Sequence, residues 1–320
     1  MAAPRKFQIV VAFAALYLIW GSTYLAIHFA IATIPPFLMA GMRFFLAGLI
    51  MFAIARTQSS LRSTWRDWRT SLIVGGCLLL GGNGGVSLSE KYIDSGLAAV
   101  IVATVPIYIA LLGWLTWMSS RPKPIVWLGL AGGFLGVAIL LAPALRFSQS
   151  SSSRPAIGMS ILLVSSFIWS AGSLYSSASK TCISPFLAAA QQMVCGGTLL
   201  ILAGLITGEK GNFYPGAISV SSLGAFVYLV LIGGIIGYFS YAWLLRHCEP
   251  AKIATYAYVN PIVAVFLGWA FAGEMLTVRS LFAALLIIGS VALVVSAQRL
   301  TAKPKVVALP AAIPDVSCSR

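Results

Sequence analysis

Long apolar runs of about twenty residues follow one another along almost the whole chain, separated by short polar or Pro-containing gaps. A helix needs about 20 mostly apolar residues to cross roughly 30 Å of hydrocarbon. On that rule ten spans are expected, near residues 8–30, 36–55, 71–89, 95–118, 125–143, 156–178, 184–206, 219–244, 250–272 and 279–298. Lipid offers the backbone no hydrogen bonds, so such runs must be helical, and the expected fold class is all-α integral membrane. No connection is long enough to hold a soluble domain. The first run is too long for a signal-peptide core and lacks a small-residue cleavage site, so it is expected to be retained. Residues 300–320 form a Pro/Ala-rich tail, expected to be disordered and cytoplasmic.

The apolar pattern repeats. Ile19-Trp20-Gly21-Ser22 aligns with Ile168-Trp169-Ser170-Ala171 at an offset of 149 residues, and Pro36-Phe37-Leu38 meets Pro185-Phe186-Leu187 at the same offset. Pro106 meets Pro261 and Gly113-Trp114 meets Gly268-Trp269 at an offset of 155, while Gly136 pairs with Gly289 at 153. Two halves are therefore expected, 1–145 and 155–299, each of five helices. Five is odd, so like-folded halves must be inverted relative to each other, with a site between them near the midplane.

Composition narrows the class further. Charged residues make up 9% and hydrophobic ones 59%, against about 25% charged in ordinary soluble domains, which excludes a soluble enzyme and a disordered chain. The net charge of +14 does not point to nucleic acid, because the basic residues lie in gaps between apolar runs. With the N-terminus cytoplasmic, fifteen Lys and Arg fall on the inner side and five on the outer, with Arg43 inside a span. That bias predicts both termini in the cytoplasm. Five cysteines without a CxxC pair and two histidines give no zinc site or disulfide framework, so no cofactor or metal is expected.

The ordered set Trp20-Gly21-Ser22-Thr23-Tyr24-Leu25-Ala26-Ile27, Pro35-Pro36-Phe37-Leu38-Met39-Ala40-Gly41-Met42-Arg43-Phe44, Pro106, Pro261 and Gly273-Glu274 resembles the drug/metabolite transporter superfamily, specifically proteins with two EamA domains. The resemblance covers all but the tail. It implies a ten-helix carrier in the plasma membrane that moves small organic metabolites, amino acids or drugs, in the outward direction. Two positions depart from the family pattern: His28 stands where relatives often have Arg or Lys, and Met118-Ser119-Ser120 lacks the Gly-Glu of the second repeat.

Candidate chemistry is sparse. The acidic residues Asp67, Glu90, Asp94, Glu209, Glu249, Glu274 and Asp315 all lie outside the middle of a span. A carboxylate-based proton relay is therefore not expected, and His28 is the one titratable group near a span that could substitute. No paired carboxylates and no nucleophile with a matched base are apparent, which argues against an enzyme. Arg43 is the one charge inside a span, and burial there costs about 2.5–3.5 kcal/mol on insertion scales. It either meets a substrate carboxylate or bonds free carbonyls and snorkels; its repeat partner is Gln192.

Tyr17, Trp20, Tyr24 and His28 share a helix face by their spacing, as do their counterparts Ser166, Trp169, Ser173 and Ser177. This is a cavity wall for an amphipathic substrate or a helix-packing face. Asn83 matches Tyr238, Tyr241 lies three residues on, and Tyr256 and Asn260 are four apart; substrate, water or neighbouring helices must satisfy them. The candidate substrate contacts are thus Trp20, Tyr24, Arg43, Asn83, Trp169, Ser173, Gln192, Tyr238, Tyr241, Tyr256 and Asn260. Pro106 and Pro261 free the Val102 and Ala257 carbonyls, as bending points or static kinks. Gly129, Gly132, Gly133 and Gly136 serve either a homodimer face or packing within the molecule. The leading reading is a secondary carrier working by alternating access, whose partners are a small molecule and the bilayer. Its rivals are a membrane enzyme acting on lipid and a non-transporting receptor or scaffold.

Overall fold

The computed structural model describes residues 6–58, 63–116, 124–146, 154–179, 183–247, 256–275 and 277–299. The expectation of a disordered tail at 300–320 lies outside them, as does part of the ninth expected span. Among the described residues the chain is helical, with no strand. The helices are α1 (Lys6–Ala30), α2 (Pro36–Gln58), α3 (Trp65–Gly75), α4 (Gly85–Ser89), α5 (Ser95–Val102), α6 (Val105–Leu115), α7 (Pro124–Arg146) and α8 (Arg154–Ala178). They continue with α9 (Pro185–Ile206), α10 (Val220–Tyr228), α11 (Gly237–His247), α12 (Tyr256–Ala272) and α13 (Val278–Arg299). Seven helical stretches among the described residues are long and apolar enough to cross a membrane; Pro124–Gly136, Val259–Ala272 and Val278–Ser290 are shorter apolar helices.

Two crossings are not plain α-helix. A π-helix at Gly76–Gly84 joins α3 to α4, and a second at Leu229–Ile236 joins α10 to α11. Both segments contain paired glycines and fall at matched places in the repeat, and wide turns of this kind are frequent at functional sites. The third crossing starts earlier than its apolar run because Thr64 and Asp67 form a capping box. The Thr64 hydroxyl accepts from the Asp67 N–H at 3.3 Å, and the Asp67 carboxylate accepts from the Thr64 N–H at 2.9 Å. That exchange satisfies two of the orphan donors at a helix start.

The fourth expected span is broken. Pro106 has no N–H to offer Val102, and the chain turns at Ala103-Thr104 between α5 and α6. The Thr104 hydroxyl donates to the Ile101 carbonyl at 2.7 Å, and the Ser170 hydroxyl lies 3.2 Å from the Val105 carbonyl. Pro261 behaves differently and sits inside a continuous α12.

The bundle is built from crosswise contacts. α1 lies against α12 and against the α10–α11 crossing, whereas α8 lies against α5 and α6 and the α3–α4 crossing. Each is the same contact with the two halves exchanged. α2 runs along α9 and α7 along α13, so helices at equivalent places also meet. The α2–α9 contact is backbone on backbone: a Cβ at Gly41 would stand 2.7 Å from the Ile201 nitrogen, and one at Gly197 2.6 Å from the Phe45 nitrogen. The glycines of the fifth span are used within the molecule. Gly132 and Gly133 face Ser290, Gly133 also faces Ile107, and Gly136 meets Ile287, while Gly129 is buried. Internal packing thus uses Gly132, Gly133 and Gly136. Leu18, Leu128, Val164, Phe266 and Phe282 are more than half or nearly half exposed, as residues turned to lipid would be.

Candidate functional site

A cavity of about 120 Å³ lies where the two halves meet. Ligand clefts are mostly apolar, with a few placed polar groups. This one draws its wall from α1, α2, α5, α6, α8, α12 and both π-helical crossings. Of the residues singled out from sequence, Trp20, Tyr24, Arg43, Asn83, Trp169, Tyr238, Tyr256, Asn260, Pro106 and Pro261 line it. Ser173, Gln192 and Tyr241 do not. The Ser173 hydroxyl bonds its own helix, donating to the Trp169 carbonyl at 2.8 Å. Gln192 stands against Gly75, and Tyr241 stacks behind Trp20 with ring centroids 5.3 Å apart. Gln191, not Gln192, is the fully buried glutamine, bonded to Ser71 and Ser63 far from the cavity.

The two tryptophans sit on glycines of the opposite half. A Cβ at Gly237 would stand 2.7 Å from Trp20 Nε1, and one at Gly82 would stand 2.5 Å from Trp169 Cε3. Trp20 and Trp169 match in the repeat, and so do Gly82 and Gly237, so this is one contact made twice. Each indole lies flat against backbone where a side chain would exclude it. Trp20 is held further by edge contacts to Tyr256, with centroids 5.2 Å apart at 83°, and to Tyr238 at 5.8 Å and 62°.

Arg43 is 3% exposed. Its Nη2 donates to Asn83 Oδ1 at 3.2 Å, and its guanidinium carbon lies 4.3 Å from the centre of the Phe44 ring. Nε is buried without a hydrogen-bond partner, as is the Ser166 hydroxyl on the facing wall. Both residues line the cavity. The alternative reading, in which Arg43 serves helix carbonyls, finds no such bond among the described residues; its one partner is the Asn83 amide oxygen. With the Asn260 amide turned to donate, its nitrogen lies 3.2 Å from the Tyr256 and Tyr17 carbonyls, which ties α12 to α1 beside Pro261.

Sequence reasoning missed several wall residues. Thr23, Ile27, Phe44, Val86, Ala99 and Ser165 line the cavity, and Gly82, Gly233 and Gly234 admit it to the backbone. The small residues carried a signal in the glycine clusters, whereas Ile27 and Val86 are ordinary apolar residues of a span.

The acidic residues require a correction. They were expected to be peripheral, yet Glu90 is 4% exposed and neither carboxylate oxygen has a partner. It follows Ser89 at the end of α4, and the crowding of that end by α1 and α8 buries it. Burial, reinforced by the nearby Glu274, pushes the Glu90 carboxyl well above the usual range, while Arg43 pulls the other way. Burial and Glu274 also push Asp94 up, against an opposing pull from His28. Glu209 is buried but satisfied, accepting from the Phe37 and Leu38 N–H groups at 3.2 and 2.9 Å at the start of α2. Glu274 does the same for α5, accepting from the Ser95 N–H at 2.8 Å, the Ser95 hydroxyl at 2.5 Å and the Gly96 N–H at 3.0 Å. Among the described residues no group of three or more His, Cys, Asp or Glu could hold a metal.

Comparison with known proteins agrees with this architecture. The inner membrane transporter YedA of Escherichia coli K12 is 36% identical over 294 residues, 91% of this chain and 92% of that protein. The transporter YvbV of Bacillus subtilis 168 is 26% identical over 282 residues, 87% and 88% of the two chains. A solved crystal structure matches with a TM-score of 0.62 at 20% identity, covering 91% of this chain and 98% of the other, a likeness of fold alone. Residues 7–142 and 156–296 each match the EamA-like transporter family. On that double match over nearly the whole chain, this protein belongs to the EamA-like transporter family.

Proposed function

We propose that this protein is a secondary carrier of the plasma membrane that moves small organic anions with an apolar or aromatic body, outward, by alternating access. In this reading the halves 1–145 and 155–299 are inverted five-helix repeats, both termini are cytoplasmic, and the cavity is the site that faces each side in turn. The observation that carries it is Arg43. A guanidinium held 3% exposed in a cavity wall, with Nε unpartnered and an amide oxygen instead of a carboxylate at Nη2, lacks a counter-charge that a substrate can supply. Trp20, Trp169, Tyr24 and Tyr256 offer flat apolar surfaces for the rest of the molecule. The exchanged Trp–Gly contacts and the crosswise helix packing support two related halves. The similarity to the inner membrane transporter YedA and the transporter YvbV supports transport across the inner membrane.

The test is uptake into proteoliposomes of a panel of aromatic and aliphatic carboxylates, their amides and their amines. Carboxylates are expected to be carried and the matched amides not. Losing one charge-assisted contact is worth about 1.5–3 kcal/mol, or about ten- to a hundredfold in affinity, so Arg43→Gln should raise the half-saturating concentration by that factor at unchanged abundance. Arg43→Lys restores the charge without the fork and should rescue in part. Equal uptake of amides and carboxylates would overturn the reading. Turnover of a lipid without solute flux would favour the enzyme reading, and absence of both a scaffold.

A further inference from the structure

Two polar groups in the cavity wall have no hydrogen-bond partner: Arg43 Nε on α2 and the hydroxyl of Ser166 on α8, a residue 2% exposed. Val102, at the end of α5, lines the same cavity, and Pro106 offers its carbonyl no N–H. Buried polar groups of native proteins are hydrogen-bonded in the large majority of cases, so unmet groups gathered in one wall mark where a ligand is received. We propose that the Ser166 turn forms a hydroxyl subsite beside Arg43, so that the preferred substrate is a hydroxy acid, not a plain carboxylate or an amino acid. This rests on the anion reading of Arg43.

Contacts along α8 fix the position of Ser166. Near the start of that helix Gly158 packs against Ile93, and further along the Ser170 hydroxyl lies 3.2 Å from the Val105 carbonyl. Both pairs are 65 residues apart, so α8 runs beside α5 in the same direction, and Ser166 stands level with Ile101 and Val102. The shorter bond of the Ser170 hydroxyl, 2.7 Å, goes to the Ser166 carbonyl and holds this turn against the break between α5 and α6. On its other side the turn meets the first π-helical crossing. Gly82 packs against Trp169, and Gly85 against Ser165, the neighbour of Ser166. Between those glycines Asn83 Oδ1 accepts from Arg43 Nη2 at 3.2 Å. The guanidinium and the hydroxyl thus border one stretch of the cavity.

The chemistry of the three groups selects the ligand. A hydroxyl both donates and accepts. A substrate hydroxyl can accept from Ser166 and donate to the Val102 carbonyl while the carboxylate meets Arg43 Nε. An ammonium group brings three donors and a positive charge, and among the described residues no Asp or Glu lines the cavity to answer it. A site that hydrogen-bonds a substrate hydroxyl disfavours the analogue without it, because its own groups then stay unpaired.

The test is uptake by the full-length protein in proteoliposomes of four solutes: 3-phenylpropanoate, its 2-hydroxy form, its 3-hydroxy form and phenylalanine. One of the hydroxy acids should reach half-saturation at a concentration about two- to tenfold below that of 3-phenylpropanoate, and phenylalanine should be the poorest of the four. In Ser166→Ala the ratio between hydroxylated and plain acid should fall to about one. A variant that only packs poorly would weaken both acids together and keep the ratio. The wild-type comparison decides the matter whether or not that variant folds. Equal half-saturation of the three acids, or an unchanged ratio in Ser166→Ala, would overturn the hydroxyl subsite and leave Arg43 as the anion contact. Preference for phenylalanine over both hydroxy acids would overturn it in favour of an ammonium site. Absence of flux for every one of these carboxylates would overturn it together with the Arg43 reading.

Discussion

Replacement of Glu274 measures how firmly the start of α5 is tied to the end of α12. The carboxylate bridges the two helices through three donors at 2.5–3.0 Å, and it fits because neither Gly96 nor Gly268 has a side chain: a Cβ at Gly96 would lie 3.1 Å from Oε2. Gly273, at φ 66, makes the turn that returns the chain to this position. Hydrogen bonds to a charged group contribute about 1.5–3 kcal/mol each, and an anion at a helix N-terminus about 0.3–1 kcal/mol. Glu274 is half-buried and the bonds share one carboxylate, so the terms do not add. A loss of about 2–4 kcal/mol is expected for Glu274→Ala, which also leaves the Ser95 and Gly96 N–H groups without their acceptor. Glu274→Gln keeps the volume but turns an amide N–H₂ toward one of those donors, so it should cost about half as much. At about 2–4 °C per kcal/mol for chains of 150–250 residues, Glu274→Ala should lower Tm in detergent by about 4–16 °C. Size-exclusion thermal shift or dye-based melting of purified protein reads this directly. A double-mutant cycle with Ser95→Ala should show a coupling of about 1 kcal/mol. Melting of both variants within a degree of wild type, with no coupling to Ser95, would refute the argument.

Glu209→Gln should destabilise the start of α2 by a smaller amount, about 1–2 kcal/mol, because it accepts from two donors and not three; the same melting assay checks it. Gly82→Ala should drive Trp169 from its seat and cost about 1–3 kcal/mol as an overpacked contact, and Trp169→Leu in the same chain should recover part of the loss, read as folded yield. Trp20→Ala should cost about 3–5 kcal/mol and abolish transport, while Trp20→Phe should keep the fold and lose selectivity among ring-bearing substrates in the uptake panel. A single cysteine at Gly211 should label from outside intact cells and one at Arg66 only after the membrane is breached, in a background without other cysteines; the reverse pattern would refute the orientation.

The sequence carried the all-helical membrane fold and the presence of two repeats because apolar run length and the Trp, Pro and Gly matches are one-dimensional signals. It also carried much of the polar and aromatic part of the cavity wall, since Trp20 with Tyr24 and Asn83 with Tyr238 stand out as polar or aromatic residues in apolar runs. Burial at span ends was not legible. Glu90 lies one residue beyond an apolar run and reads as a loop acid, and only the packing of α1 and α8 around that end shows it to be enclosed. The repeat itself misled at Gln192. Transferring Arg43 by offset places Gln192 in the site, but the halves are not equal there: Gln192 does not line the cavity, and its backbone carbonyl faces Gly75 of α3. The same is true of the prolines, where one breaks a crossing and its partner does not. The π-helices were invisible because a single extra residue in a turn leaves the hydropathy pattern unchanged.

The backbone contact between α2 and α9 sets the mechanics. Gly41, Gly48 and Gly197 let the two main chains touch over about 10 Å of helix. At these glycines the helices meet main chain to main chain, so this patch is the hardest part of the pair to separate. From Gly41 to Arg56 the arm is about 22 Å long at 1.5 Å per residue, so a turn of about 10° would carry the far end of α2 some 4 Å while the middle hardly moves. Two rods pinned at one bearing behave as a balance beam, in which space opened at one end is withdrawn from the other.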